Sequence, residues 1–565
     1  MWRMRKRMGQ LSRKIFERSR SRMDYGRMDM VNGNYMEENN RRMAEDEQRR
    51  RAEEERRRAE ELRMEEQRLE EERRTAVMRR NFPFFGWAGA VYALFYTFCL
   101  YKNASGITYP FFVAGTLIYF GLCTRRSGVP LKKDSTFTVV SMLLLGVSVF
   151  LTDNLSIQLF TKTGLFLLTI SLMLHQYLDD SKWNFSKFLL AIGQCLLETV
   201  ACLGRPFSDG AAWRVKAVQE GKKDGKGRYV ALGILVAVPL TLLILALLVS
   251  ADAVFRDLFV RVFRHINILS ILCILCMLAF GFLGSYCFIA MLNSRVIKEE
   301  CKKNRNQEPV LAITFTSVLA ALYLVFSMIQ IVYLFMGQMK LPEGYTYSSY
   351  ARQGFFQLLA VCLINLVIVL VCLGFFRESR VLKAILTVIS LCTYIMVASS
   401  AYRMILYIRI CQLTFLRIIV LWALAVTAFV LAGIIVTIFR PDFRLFRYCM
   451  MVVTVFYLVL AFAKPDYWIA RYNIQYVNLE GNAAEQAENS YRDFNYLSHL
   501  SADAAPVLTK PENYAYLTEN STAMQSYFSR MQDKADRMGI RSFNLSRYLA
   551  GRAVRSVSDA AAQTS

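Results

Sequence analysis

The chain has 565 residues, 55% of them hydrophobic, and a formal net charge of +24, with a mean hydropathy of +0.27. That much apolar residue excludes an ordinary soluble domain. The basic excess gathers in an N-terminal arm and in the short loops between apolar runs, which is the pattern of a membrane protein and implies no nucleic-acid partner.

Residues 1–35 form a basic arm without periodicity, with nine Lys/Arg and one acid between Met1 and Met23. It is expected to be disordered and to lie on anionic lipid headgroups. Residues 36–80 read as a charged helix. Pairs such as Glu45–Arg49, Glu47–Arg51, Glu53–Arg57 and Glu70–Arg74 have the i,i+4 order that supports one. Ala52/Ala59 and Leu62/Leu69/Ala76 keep a heptad spacing, interrupted by Glu55 and Glu66. The helix reads as a solvated spacer or a weak coiled-coil stalk, through which the chain would oligomerise or hold a protein partner.

From 84 to 463 the chain predicts an all-α, polytopic transmembrane bundle of about eleven spans. A run of ~20 apolar residues covers a bilayer core, and only helices or closed barrels satisfy the backbone there. The runs lack the dyad alternation of a barrel. The expected spans are 84–101, 107–124, 136–152, 158–177, 229–250, 266–292, 310–335, 354–376, 382–404, 414–439 and 446–463. Residues 187–203, with Gln194 and Glu198, read as an interfacial amphipathic helix, because counting them as a span turns every later basic loop outward. This alternation puts the N-terminus in the cytoplasm and the tail, 464–565, outside as a small helical domain.

All 13 cysteines lie between Cys99 and Cys449, most of them inside apolar runs, so no disulfide framework is expected. Cys273 and Cys276 form a CxxC within an apolar run and read as packing residues. No metal site or cofactor is predicted. The three histidines, His175, His265 and His499, fall at different depths, and no protease, hydrolase or nucleotide motif occurs. No catalytic residue is assigned. His499 near Ser498, Ser501 and Asp503 has triad residue types without triad geometry.

The polar residues that stand out are candidates for binding at the outer face. Gln330 and Tyr333 end one run, and Tyr347, Tyr350 and Arg352 precede the next. An amide within an apolar run needs partners, and Arg352 among hydroxyls suits an anionic group. Arg403 and Tyr407 close a later span, and an arginine there invites a partner. Asp466, Arg471 and Asn473 read as structural residues that dock the tail on the bundle.

Gln330-x-x-Tyr333, Gly344 to Phe356, Arg403-Met-x-Leu-Tyr407, Leu413-Thr-x-Leu-Arg417, Ile469 to Ile474, Tyr496-Leu-Ser and Ser542-Phe-Asn-Leu-Ser-Arg547 carry a resemblance. They resemble a bacterial multi-pass family known as domain-of-unknown-function family 4173, over roughly Phe84 to Arg552. The resemblance implies a bacterial plasma-membrane protein and no particular activity. Three function classes stay open. The long charged helix favours a non-enzymatic bundle that binds, senses or scaffolds. Span number and Gln330 favour a small-solute transporter. Arg352, Arg403 and the tyrosines favour an envelope enzyme acting on lipid or polymer.

Overall fold

The computed structural model describes residues 76–181, 183–219, 268–294, 307–332, 355–477 and 494–564, with isolated positions between 9 and 69 and between 237 and 252, and residue 297. The chain divides into two units, Met1–Ala76 and Val77–Ser565. In the first, the described residues from 47 to 69 are helical and exposed. Arg51 donates to Glu47 over 2.8 Å there, one i,i+4 pair on a solvated helix. Leu62, Met64 and Leu69 stand exposed on it.

The second unit is an all-α, polytopic helical bundle. Its helices begin with α1 (Phe82–Leu100), α2 (Thr108–Arg126), α3 (Thr136–Leu151) and α4 (Leu155–Tyr177). Next come α5 (Phe185–Ala201), α6 (Arg205–Gln219) and α7 (Ile268–Ser294). The series ends with α8 (Pro309–Gln330), α9 (Phe355–Phe375), α10 (Arg380–Cys411), α11 (Phe415–Phe439) and α12 (Leu445–Phe462). Ten helical stretches among the described residues are long and apolar enough to cross a membrane. They include 185–217, which covers the helix expected at the interface, and they do not include Thr108–Arg126. The expected span at 229–250 lies outside the described residues apart from isolated positions.

Helices α1 to α4 pack in sequence, with α7 against α1, and α5 and α6 against α7. Helices α8 to α11 form a second group around α10. Helix α12 joins the two groups by touching α11, α3 and α5. Each group has its own buried core, one around Tyr286, Phe85 and Leu174, the other around Leu386, Ile389 and Ile434. Between them, Phe188 of α5 stacks on Phe446 of α12 at 4.0 Å. Exposed Leu, Val and Phe cover the outward faces of the helices, as a lipid-facing belt requires.

The tail folds into short helices on one end of the bundle: α13 (Pro465–Val477), α14 (Ala505–Leu508), α15 (Pro511–Asn520), α16 (Thr522–Asp536) and α17 (Leu545–Thr564). Proline opens α13, where a missing N–H costs nothing. Ser521 caps α16 by accepting from the Met524 amide. Met524, Tyr527, Leu508 and Leu517 build a core separate from those of the bundle. Among the described residues three non-glycines have positive φ, Lys102, Gln412 and Lys464, all in turns at the end that the tail covers. Such backbones persist only where surrounding contacts hold them.

Candidate functional site

The turn between α3 and α4 is Thr152-Asp153-Asn154, and all three residues are buried. Each grips a different part of the tail. The Thr152 hydroxyl donates to Asp503, whose other oxygen accepts from Ser546 of α17 at 2.5 Å. Asp153 takes Lys534 of α16 at 2.8 Å on one oxygen and Arg547 of α17 at 2.5 Å on the other. The Asn154 amide donates to Asp466 at 2.9 Å, while its own oxygen caps α4 by accepting from the Ile157 amide at 3.0 Å. Asp466 also accepts from the Ser501 backbone at 3.0 Å. Three buried aspartates are thus distributed among three anchors, and none is left without compensation.

Two more anchors flank this knot. Asn544 donates to the carbonyls of Ser105 and Thr152 at 3.0 and 3.1 Å. Arg541 donates to the carbonyls of Phe98 and Tyr101 that end α1, and its own carbonyl accepts from Asn103. At Gly106 a Cβ would fall on that Arg541 carbonyl, so only glycine lets the tail approach the α1–α2 turn this closely. On the other flank, Asn473 of α13 exchanges two 2.9 Å bonds with the backbone of Leu413, and Tyr496 accepts from the Phe415 amide.

Where the tail meets the starts of α4 and α11, a cleft of about 400 Å³ remains. It lies within the size range of small-ligand sites. Its lining includes the carboxylates of Asp466 and Asp153, the cations of Arg530 and Lys534, and the apolar side chains of Leu155 and Phe415. Burial pushes the Asp503 carboxyl behind it above the usual carboxylate range, against the opposing pull of the Ser546 and Thr152 hydroxyls.

Of the residues singled out in the sequence, Gln330 and Arg403 come together. Gln330 Oε1 accepts from Ser399 at 2.5 Å and from Arg403 Nη2 at 3.2 Å, all three side chains being buried. Tyr333, Tyr347, Tyr350 and Arg352 lie outside the described residues. Tyr407 is half-buried beneath the Arg417 guanidinium, 4.2 Å from its ring centre. Asp466 and Asn473 join tail to bundle as described, whereas Arg471 is exposed and lies over the Trp468 ring. No triad forms around His499: its Nδ1 meets the Asn495 carbonyl at 2.6 Å, and Asp503 is turned to Thr152 and Ser546. Among the described residues no group of His, Cys, Asp or Glu is arranged to hold a metal ion.

Nothing in the sequence analysis singles out Thr152, Asp153 or Asn154. The signal available was an Asn placed to cap the helix after an apolar run. Nothing local could tie it to residues more than 300 positions away.

At the opposite end of the bundle a second polar cluster closes the α4–α5 turn. Asp180 accepts from Arg447 of α12 at 2.8 Å and pairs with His175 at 2.9 Å. Lys132 donates to the carbonyls of His175 and Leu178. Burial opposes ionisation of Asp180, yet His175 and Arg447 hold its carboxyl below the usual range.

A family model matches residues 139–510. The chain belongs to the family described as Domain of unknown function (DUF4153). This corrects the resemblance to family 4173. Short Tyr-, Arg- and Asn-bearing strings recur wherever helix ends meet a headgroup layer, so they discriminate poorly between multi-pass families. One of those strings, 542–547, lies outside the DUF4153 match. The match takes in Thr152-Asp153-Asn154, Asp466 and Asp503, and ends before Lys534 and Arg547. No curated protein and no solved structure matches the chain.

Proposed function

We propose that this DUF4153 protein is a non-enzymatic binding or sensing bundle of the bacterial plasma membrane, with its ligand site in the cleft between tail and bundle. In this reading the N-terminus is cytoplasmic and the tail is external. The basic arm rests on anionic lipid, and the charged helix carries the output to a second copy or a protein partner. One observation carries the proposal: the cleft is walled by two parts of the fold, tail and bundle, that polar anchors with buried acceptors pin together at its edge. A ligand there bridges tail and bundle, so its binding biases how firmly they close.

The test is a thermal-shift survey of purified protein in detergent against anions, amino acids, sugars, nucleotides, divalent metals and phospholipids. Stabilisation by one of them, lost in Arg530→Ala, supports the reading. No stabilisation by any of them removes it.

Transport of a small solute is the second reading. It is favoured by the polar file inside the bundle, where Gln330, Ser399 and Arg403 sit with buried Ser327, Asn365 and Thr393 across α8, α9 and α10. Substrate flux in proteoliposomes that falls in Gln330→Leu would support it, and flux unchanged in that variant removes Gln330 from the path. An envelope enzyme is the weakest of the three classes, since among the described residues His499 beside the cleft has no carboxylate oriented on it, Asp503 being bonded to Thr152 and Ser546.

A further inference from the structure

The cleft's chemistry narrows its ligand, and the narrowing rests on the binding reading above. Its acidic lining offers one open acceptor. Both protein hydrogen bonds to Asp466 go to Oδ2, from Asn154 and from the Ser501 amide, which leaves Oδ1 for a donor within the cleft. Asp153, by contrast, has each oxygen occupied by a cation.

Its basic lining offers open donors. Arg530 is exposed and spends one Nη2–H on the Ser498 carbonyl at 2.5 Å, so the N–H groups of Nε and Nη1 remain to donate to an anion. Lys534 makes one ion pair and keeps 39% of its side chain exposed, with two further N–H groups to give. A simple anion meets the Asp466 carboxylate, and a simple cation meets Arg530 and Lys534. A ligand that carries both signs fits both.

The apolar lining gives the remaining property. Leu155 lines the cleft and is 78% exposed at the start of α4, a membrane-sized helix. Leu159 follows one turn further on and is also exposed, which lays an apolar track from the cleft onto the surface that a bilayer covers.

We infer that the cleft takes a zwitterionic phosphate–ammonium group, the phosphate on Arg530 and Lys534 and the ammonium on Asp466, as presented by an ethanolamine phospholipid with an acyl chain along Leu155 and Leu159. Free phosphoethanolamine carries the same headgroup chemistry without the chain.

The experiment uses the full chain in detergent and follows melting temperature against phosphatidylethanolamine, phosphatidylglycerol with the same chains, and soluble phosphoethanolamine. The wild type should be stabilised by phosphatidylethanolamine well beyond phosphatidylglycerol. Arg530→Ala should weaken the apparent affinity about tenfold, the size of one lost charge-assisted bond, and Arg530→Lys should restore part of it. Leu159→Ser, beyond the cleft lining, should weaken the lipid and leave phosphoethanolamine unchanged. Soluble phosphoethanolamine matching the lipid would keep the headgroup assignment and make the free solute the ligand. Phosphatidylglycerol binding as well, or an Arg530→Ala response equal to wild type, overturns the inference. A different solute that depends on Arg530 would overturn the ligand class and leave the binding reading standing.

Discussion

Asn154 and Asp466 stand 312 positions apart and share a buried 2.9 Å hydrogen bond, Nδ2 to Oδ2. That bond fastens the start of the tail to the α3–α4 turn. Asp466→Ala would leave two donors, the Asn154 amide and the Ser501 backbone N–H, without their acceptor. Each buried donor left unsatisfied costs roughly 1–3 kcal/mol. The expected outcome is a lower melting temperature together with faster proteolysis within the tail. Asp466→Asn, which keeps one acceptor oxygen, should lie between the variant and wild type. Tail proteolysis equal to wild type in Asp466→Ala would deny the bond a role in docking.

Asp503 gives docking a pH dependence of defined sign. Its folded carboxyl titrates above the unfolded value because it is buried. Its contribution is therefore complete below the unfolded value, about 3.9, and is lost as pH rises through the raised folded value. Asp180, at the other end of the bundle, titrates below the ordinary range, so its contribution is present above the unfolded value and is lost as pH falls through the depressed one. Melting curves that extend from below about pH 4 to above it should show a component that declines as pH rises above about 4 and flattens in Asp503→Asn. Asp180→Asn should instead flatten the acid limb. A decline unaltered by Asp503→Asn would assign that component to another group.

Gln330 and Arg403 make a paired prediction. Gln330→Leu removes a buried acceptor from a guanidinium inside a membrane-sized helix, at a cost of roughly 1–3 kcal/mol. Arg403→Met removes the charge and leaves Gln330 bonded to Ser399. The double variant should lose less than the sum of the singles, because an apolar pair needs no partner. Unfolding of all three in one detergent supplies the cycle, and strict additivity would show that the two residues act independently.

The architecture was legible because a bilayer imposes it. Apolar runs near 20 residues have one solution, and 136–152, 382–404 and 414–439 come close to the observed α3, α10 and α11. Gln330 and Arg403 stand out for the same reason, as polar side chains in apolar runs that need partners, but nothing in the sequence pairs them with each other. The Thr152-Asp153-Asn154 knot was not legible. Each of its side-chain bonds to the tail reaches from 312 to 394 positions along the chain, and in sequence its residues look like any polar turn between two spans. The helix at 185–201 shows another limit. Loop charge argued for the interface, while its Phe188, Ala191 and Cys195 pack into the core shared with α7, and the longer stretch to 217 meets the length and composition of a span.

The polar file through α8, α9 and α10 ends in a prediction about unmade bonds. Asn365 is 1% exposed and donates to Thr393 at 3.0 Å, but its Oδ1 has no hydrogen-bond partner, and neither has the hydroxyl of buried Ser327. A buried acceptor without a donor costs about as much as one good hydrogen bond returns, so Asn365 gains little from its single bond. Leu has the same branching, is larger and asks for no partner, and Asn365→Val, closer in volume, controls for overpacking. Asn365→Leu should therefore leave the melting temperature unchanged or raise it, and Ser327→Ala should do the same. Opposite behaviour has one physical meaning. If Asn365→Leu destabilises by more than about 2 kcal/mol, the Oδ1 is satisfied in the working protein by a bound water or solute. The file would then be hydrated, and the transport reading would gain the evidence that the binding reading now has.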